Sequence, residues 1–248
     1  MKPNLPPQFE RTQILLGDEG IATLRDKHIF VAGLGGVGSY CTEALARAGI
    51  GRLTLMDHDV VATSNINRQL PALLSTVGQS KAELMRARIA DINPDCQVTL
   101  IRTFLGRENV HELVPQDCDY VIDCIDSMNC KVALVAYSLG QGYKVASSMG
   151  AGNKLDPTRI KVADISETSV CALAREMRKH LRDLGIKQGV LTVYTDENAR
   201  PPLPPQPVDR GRPRSVNGTI SYMPPLFGFM LAGAVLNRLL SNSATEAG

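Results

Sequence analysis

Short apolar runs alternate along the chain with longer stretches in which apolar residues recur every three or four positions. The runs are residues 28–32 (HIFVA), 53–56 (LTLM), 97–103, 120–125 (YVIDCI) and 144–147 (KVAS). Their length and bounding polar residues predict buried strands. Residues 36–48 and 80–92 carry the helical period, the second with Leu84, Ala87 and Ile89 near one side. A short helix is predicted over 17–26, and helical stretches fill the remaining gaps. Such alternation predicts an α/β fold, a Rossmann-like and mostly parallel sheet with helices on both faces.

After about residue 150 the alternation weakens. Strands are predicted at 160–165 and 190–194, an amphipathic helix at 169–184, and a closing helix from 225 to about 240, just after 219–222. Residues 196–215 (DENARPPLPPQPVDRGRPRS) have almost no apolar period and read as a mobile surface loop. Three prolines in the first eight residues make 1–8 a flexible arm. The expected organisation is therefore an arm at 1–8, a core at 9–150, and 151–248 as an extension of the same domain.

Composition narrows the function classes. The chain has 248 residues, 44% apolar and 21% charged, with a formal net charge of +2. Nucleic-acid contact must therefore come from a local patch, because bulk charge does not supply it. No apolar signal core follows Met1, so a cytoplasmic location is expected. Six cysteines occur without a C-x-x-C pair, which reads as free thiols and no structural zinc. The longest apolar run, 226–236, is too short to span a bilayer and reads as a packing helix. Peripheral membrane association stays open.

The chemistry begins at 31–38, VAGLGGVG, between a predicted strand and a predicted helix. Gly33 permits the tight turn, Gly35 lets a phosphate approach the backbone, and Gly38 allows close helix–strand packing. Gly36 is an extra glycine in the same loop. The helix N-terminus adds oriented N–H groups and a positive dipole. Asp57 ends the next strand, where its carboxylate can accept hydrogen bonds from ribose hydroxyls. A nucleotide follows from this pattern, but NAD and ATP fit it equally.

Residues 57–69 (DHDVVATSNINRQ), Lys81 and Asp126 separate the two. A nicotinamide enzyme needs an apolar cleft for its ring. Attack by a carboxylate on an α-phosphate needs charge neutralised as it builds in the transition state. Arg68 offers a bidentate fork, Lys81 a point charge, and Asp126 a hard oxygen ligand suited to Mg²⁺. Together, at successive strand ends, they favour ATP. An NAD-dependent oxidoreductase and a non-catalytic nucleotide scaffold are the other readings.

The pattern GLGGVGS, then D-x-D-x-V-x-x-S-N-I-N-R-Q, G-Q-S-K and D-x-x-D resembles the E1-like (ThiF/MoeB) superfamily of adenylating enzymes. That resemblance implies an E1-like adenylation domain over roughly residues 10–150. It implies that Asp57 holds the ribose, that Asn65, Arg68 and Lys81 contact the triphosphate, and that Asp126 holds Mg²⁺. Asp59 and Gln69, inside the same motif, join the implied ATP contacts. Arg11, in FERTQILL, is the implied arginine that reaches the neighbouring subunit's ATP, which would make the enzyme a homodimer.

Members that activate a small ubiquitin-like sulfur carrier generally carry two C-x-x-C pairs, which this chain lacks. The stretches INRQLPALLSTVGQSKAE, SSMGAGNKLDPTRIKVADI and TSVCALAREMR instead resemble the tRNA threonylcarbamoyladenosine dehydratase (TcdA-like) family. That resemblance runs across almost the whole chain apart from the Pro/Arg stretch. It implies ATP-dependent activation of the threonyl carboxylate of t6A at tRNA position 37. Closure to cyclic t6A then uses a nitrogen of the modification itself. A tethered nucleophile gains from proximity and needs no protein thiol. Adenylation of a sulfur carrier is the alternative, and a sulfur-relay protein is an open partner.

Two features stand apart from this site. Cys171 reads first as a small core residue beside Val170, Leu173 and Met177. A nucleophile activated by a helix N-terminus is the sharper alternative. Cys124 reads as strand core. Arg175, Arg178, Lys179 and Arg182 gather on one face of the 169–184 helix, and Arg200, Arg210, Arg212 and Arg214 add charge in the following loop. That face is the expected tRNA contact, with a merely solvated face as the plain alternative. Aromatics are scarce at 4%, so base stacking is not evident.

Overall fold

Alternate side chains of the central strands leave the sheet on opposite faces, and each face is covered by its own helices. This computed structural model describes residues 6–201, 204 and 217–246. Seven strands form one sheet in the order β3-β2-β1-β4-β5-β7-β6. They are β1 (His28–Ala32), β2 (Arg52–Met56), β3 (Gln97–Ile101), β4 (Tyr120–Asp123), β5 (Lys144–Ser148), β6 (Ile160–Asp164) and β7 (Val190–Thr195). All neighbours pair in parallel except β6 with β7, which are antiparallel. The chain after residue 150 therefore finishes the same sheet, because β7 adds beside β5.

Ile29 and Val31 join one core with Leu53, Leu55, Tyr120 and Ile122. That core is closed by α1 (Glu10–Asp26), α2 (Gly38–Ala48), α3 (Lys81–Ile92) and α7 (Met223–Glu246). Phe30, Ala32, Met56 and Val121 face the other way, into a second core. There α4 (Val110–Leu113), α5 (Met128–Gly140) and α6 (Ala172–Asp183) supply the cover. Glu43 of α2 binds Arg47 at 2.7 Å and Arg88 of α3 at 2.5 Å, tying those helices together.

The structure departs from the sequence reading at both ends. The first helix starts seven residues earlier than the pattern predicts, at Glu10, and is interrupted by Gly17 at φ 70, a conformation that glycine tolerates. Residues 7–9 form a turn of 3₁₀-helix with Phe9 buried, so the described end of the expected arm is ordered. Met1 to Leu5 lie outside the described residues, as does most of the expected 196–215 loop, including Arg210, Arg212 and Arg214. The closing helix is longer than the apolar run. Met223–Ser241 is long and apolar enough to cross a membrane by length and composition alone. Its Phe227, Leu231, Val235 and Leu239 are buried in the first core, and a Cβ on Gly228 would overlap the Val37 carbonyl, so α7 packs directly on α2. This is the packing helix expected from the run.

Candidate functional site

The loop between β1 and α2 opens at the carboxyl end of the sheet, beside the crossover where β1 has β2 on one side and β4 on the other. Gly33 takes φ +88, and its N–H donates to the Met56 carbonyl at 2.7 Å. A Cβ there would also lie 2.9 Å from the carbonyl oxygen of Cys124, so the turn needs glycine twice over. A Cβ on Gly38 would overlap the Gly33 carbonyl, which is the close helix–strand approach the motif predicts. Ser39 Oγ donates to Gly35 O at 2.6 Å and holds the loop against the head of α2.

Asp57 leaves β2 almost buried. Its Oδ2 accepts the Leu34 N–H at 2.7 Å and its Oδ1 accepts the Asp59 N–H at 2.8 Å. The carboxylate thus fastens the glycine loop while each oxygen keeps acceptor capacity for a hydroxyl. Residues 63–65 form a 3₁₀ turn in which the Asn65 carbonyl accepts from both Arg68 N and Gln69 N at 3.0 Å. That turn aims the two side chains at the glycine loop. Arg68 Nη1 donates to Ser64 O at 2.8 Å and Asn67 Oδ1 at 2.9 Å. Gln69 Oε1 is buried without a hydrogen-bond partner, and Gly35 lies next to its amide. Such an orphan acceptor suits a ligand hydroxyl or an ordered water.

Lys81 begins α3 with Ser80 as its N-cap. Its ammonium is buried and held by Asp59 Oδ2 at 2.9 Å. The point charge expected from the sequence is there, already paired with a carboxylate. Asp126 sits in the exposed loop after β4. Asp57, His58 and Asp59 bring their ligand atoms within 4.8 Å of one another on the opposite wall.

These elements surround one cavity of about 500 Å³. It brings together Gly33, Gly35, Gly36, Asp57, Asp59, Asn65, Arg68, Gln69, Lys81 and Asp126. Gly38 lies just beneath. A larger groove of about 1430 Å³ runs along α5 and shares only Phe104, Ser127 and Cys130 with it. The donors, the carboxylates and the glycine cradle belong to the smaller space, which is the candidate site. A glycine turn closed to a Cβ at Gly33, Gly36 and Gly38 and open at Gly35, two cations and a carboxylate with spare acceptor capacity fit ATP.

Other expected residues lie elsewhere. Arg11 is exposed on the first segment of α1, outside the cavity, beside Ile14 and Leu15 at 72% and 82% exposure. Cys124 packs against the first core as expected, but it stands just past the end of β4 and also lines the cavity. A hydrogen bond with the Cys41 thiol, together with burial, holds its own thiol well above the usual range. Cys171 is buried at the head of α6 with Ala174 and Met177, the core position that its plainer reading describes. Its sulfur lies 4.0 Å from the buried Lys154 ammonium, whose pKa burial pushes down.

On α6 the four basic residues do not share one role. Arg178 folds back to donate to the Thr168 hydroxyl and, at 2.9 Å, to the Thr168 carbonyl. Arg182 Nε donates to the Arg178 carbonyl at 3.2 Å. Arg175 and Lys179 project into solvent.

Sequence reasoning missed two groups at this end of the sheet. One is the buried trio Asp123, Lys131 and Ser147 beneath the cavity. A lysine inside the apolar stretch MNCKVALVAYSLG was its available signal. The other is Asn153, in the left-handed region at φ 59. It exchanges hydrogen bonds with Gly218 and reaches Asn217, which lines the cavity. No local pattern could reveal a partner 64 residues away.

Residues 9–247 match the ThiF family. A Bacillus subtilis tRNA threonylcarbamoyladenosine dehydratase is 48% identical over 191 residues, covering 77% of this chain and 75% of the relative. The Haemophilus influenzae protein of that name is 37% identical over 252 residues, covering 97% and 96%. A crystal structure of the Escherichia coli tRNA N6-threonylcarbamoyladenosine dehydratase, TcdA, in complex with ATP superposes with a TM-score of 0.86. It is 37% identical and the match covers 96% of each chain.

Proposed function

We propose that this chain, which belongs to the ThiF family, is an ATP-dependent enzyme that dehydrates N6-threonylcarbamoyladenosine in tRNA to its cyclic form. One observation carries the reading: a single cavity holds the glycine cradle, the ribose carboxylate and the phosphate cations. The full-length likeness to proteins named as dehydratases supports the choice of substrate. The lack of C-x-x-C pairs weighs against a sulfur-carrier substrate. The cavity's charge weighs against a nicotinamide.

In this reading Asp57 accepts the ribose hydroxyls, and the N–H groups of the glycine loop and α2 receive the phosphates. Asn65 and Arg68 grip the triphosphate, and Gln69 seats it against Gly35. Lys81 shares its charge between Asp59 and the incoming phosphates. Asp126 would hold Mg²⁺, which when bound supplies Lewis-acid neutralisation of the phosphate oxygens. The threonyl carboxylate attacks the α-phosphorus, an O–P bond forms, and pyrophosphate leaves. A nitrogen of the modification then attacks the acyl carbon, losing its proton as AMP departs, so the nucleoside loses the elements of water. Removing charge repulsion in the first step is the task of Arg68 and Lys81. Arg11 acts across a homodimer in the cytoplasm, and the bare Ile14 and Leu15 beside it suit coverage by a second copy. Arg175 and Lys179 contact RNA phosphates.

The test incubates the protein with ATP, Mg²⁺ and t6A-containing tRNA, digests the RNA and weighs the nucleoside. A product lighter by one water is expected. No mass loss, with wild type and Arg68→Ala indistinguishable, overturns the proposal.

A further inference from the structure

Under the cavity floor lies a charged pair that the reaction above does not use. Asp123 ends β4, Lys131 lies in the first turns of α5, and both side chains are 0% exposed. Lys131 Nζ donates to Asp123 Oδ2 at 2.5 Å, Ser148 O at 2.9 Å and Ser147 Oγ at 3.2 Å, which uses all three of its N–H bonds. Ser147 Oγ donates to the same Oδ2 at 2.6 Å. The other oxygen, Oδ1, accepts the N–H of Ile125 at 3.1 Å.

Burying such a pair is not an efficient route to stability, since well-packed apolar side chains often serve as well or better. The distinctive property of this cluster is what it joins. It pins the ends of β4 and β5 and the start of α5 at one point, and two cavity-lining segments spring from there. One runs from Cys124, whose carbonyl packs on Gly33, to Asp126; the other runs through Ala151 and Gly152. The Ile125 N–H held by Asp123 is one residue from Asp126.

We propose that Asp123 and Lys131 are positioning residues that fix the 124–127 loop so that Asp126 presents its carboxylate to the Mg²⁺ of bound MgATP. The inference rests on reading the cavity as an MgATP site. Partners that orient a metal ligand typically change metal affinity about 10- to 100-fold when lost. The ammonium neutralises Asp123 without reaching the ligand, and Asp123 in turn fixes the backbone that carries Asp126.

The experiment compares two double variants by calorimetric binding of ATP with and without Mg²⁺, with folding checked by thermal melting. Asp123→Leu/Lys131→Met removes the charges and the anchor for Ile125. Asp123→Asn/Lys131→Met removes the charges but keeps an acceptor for that N–H. The first is expected to weaken MgATP binding about 10- to 100-fold while metal-free ATP binds as to wild type. The second is expected to recover most of that loss. Equal MgATP affinity in the first variant and wild type overturns the proposal, as does an equal loss with and without Mg²⁺. Should the first variant not fold, Ser147→Ala decides the matter. A loss of about twofold to tenfold, the worth of one hydrogen bond, supports the role, and no loss overturns it. Wild type that binds no MgATP defeats the functional reading itself, and is thereby distinguished from failure of the positioning role.

Discussion

Two aspartate–lysine pairs flank β1 at the same end of the sheet. Asp59 and Lys81 follow β2, with the aspartate side chain 53% exposed and the lysine opening on the cavity. Asp123 ends β4 and Lys131 follows it in α5, and water reaches neither. The charges are alike, yet solvent gives them different duties. An exposed carboxylate can surrender its lysine to an incoming phosphate at little cost, because water screens and solvates what is left. A sealed pair cannot exchange partners, since an unpaired charge in the interior is strongly disfavoured. One pair is therefore suited to binding, the other to holding shape.

The largest expected effect breaks the sealed pair from one side. Lys131→Met, which strands Asp123, should cost about 3–5 kcal/mol of stability by urea unfolding. Lys81→Met should cost under about 1 kcal/mol, because Asp59 regains water. Equal costs would remove the distinction. Arg68→Ala comes next. It should lower kcat/KM for t6A-tRNA about 10²- to 10³-fold with the melting temperature unchanged, by loss of charge stabilisation in the cavity.

Glu43 gives a third case, buried but tied to two partly exposed arginines. Burial alone would raise its pKa, but hydrogen bonds from Arg88 and Arg47 outweigh burial and hold it below the ordinary carboxylate value. A depressed folded pKa means stability that is present above the unfolded value of about 4.3 and lost as pH falls through the folded one. Glu43→Gln should therefore cost about 1–3 kcal/mol at neutral pH. Urea melts of the two proteins should converge as pH falls below about 4. The smallest effect is at the exposed extreme. Arg175→Ala/Lys179→Ala should reduce the salt slope of tRNA binding by about 1 to 2 with stability unchanged, whereas Arg178→Ala should lower stability through its lost bonds to Thr168.

Much of this was legible in the residues. His28–Ala32 and Val190–Thr195 announce themselves as strands because a buried strand must be apolar on both faces. Gly33, Gly38 and Asp57 are recognisable because the turn, the helix approach and the carboxylate at the strand end sit within one strand–helix–strand unit. What stayed hidden depends on distance along the chain. The reach of the first helix back to Glu10, past Gly17, rests on Phe9 packing over Gly49 and Leu16 joining the α2–α7 side. The apolar stretch around Lys131 marks it as unusual, but its partners Ser147 and Ser148 come from β5, 16 and 17 residues on.

The sequence by itself determined the element order, the mostly parallel sheet and the glycine turn, since each follows from a local period or a local steric need. Only the tertiary structure decided which charges meet water. It paired Lys81 with Asp59, turned Arg178 inward, sealed Lys131 on Asp123 and put Cys124 at the cavity wall. The physical reason is that solvation belongs to the packed surroundings of a group and not to its place in the chain, and solvation sets whether a charge binds a ligand or braces a fold.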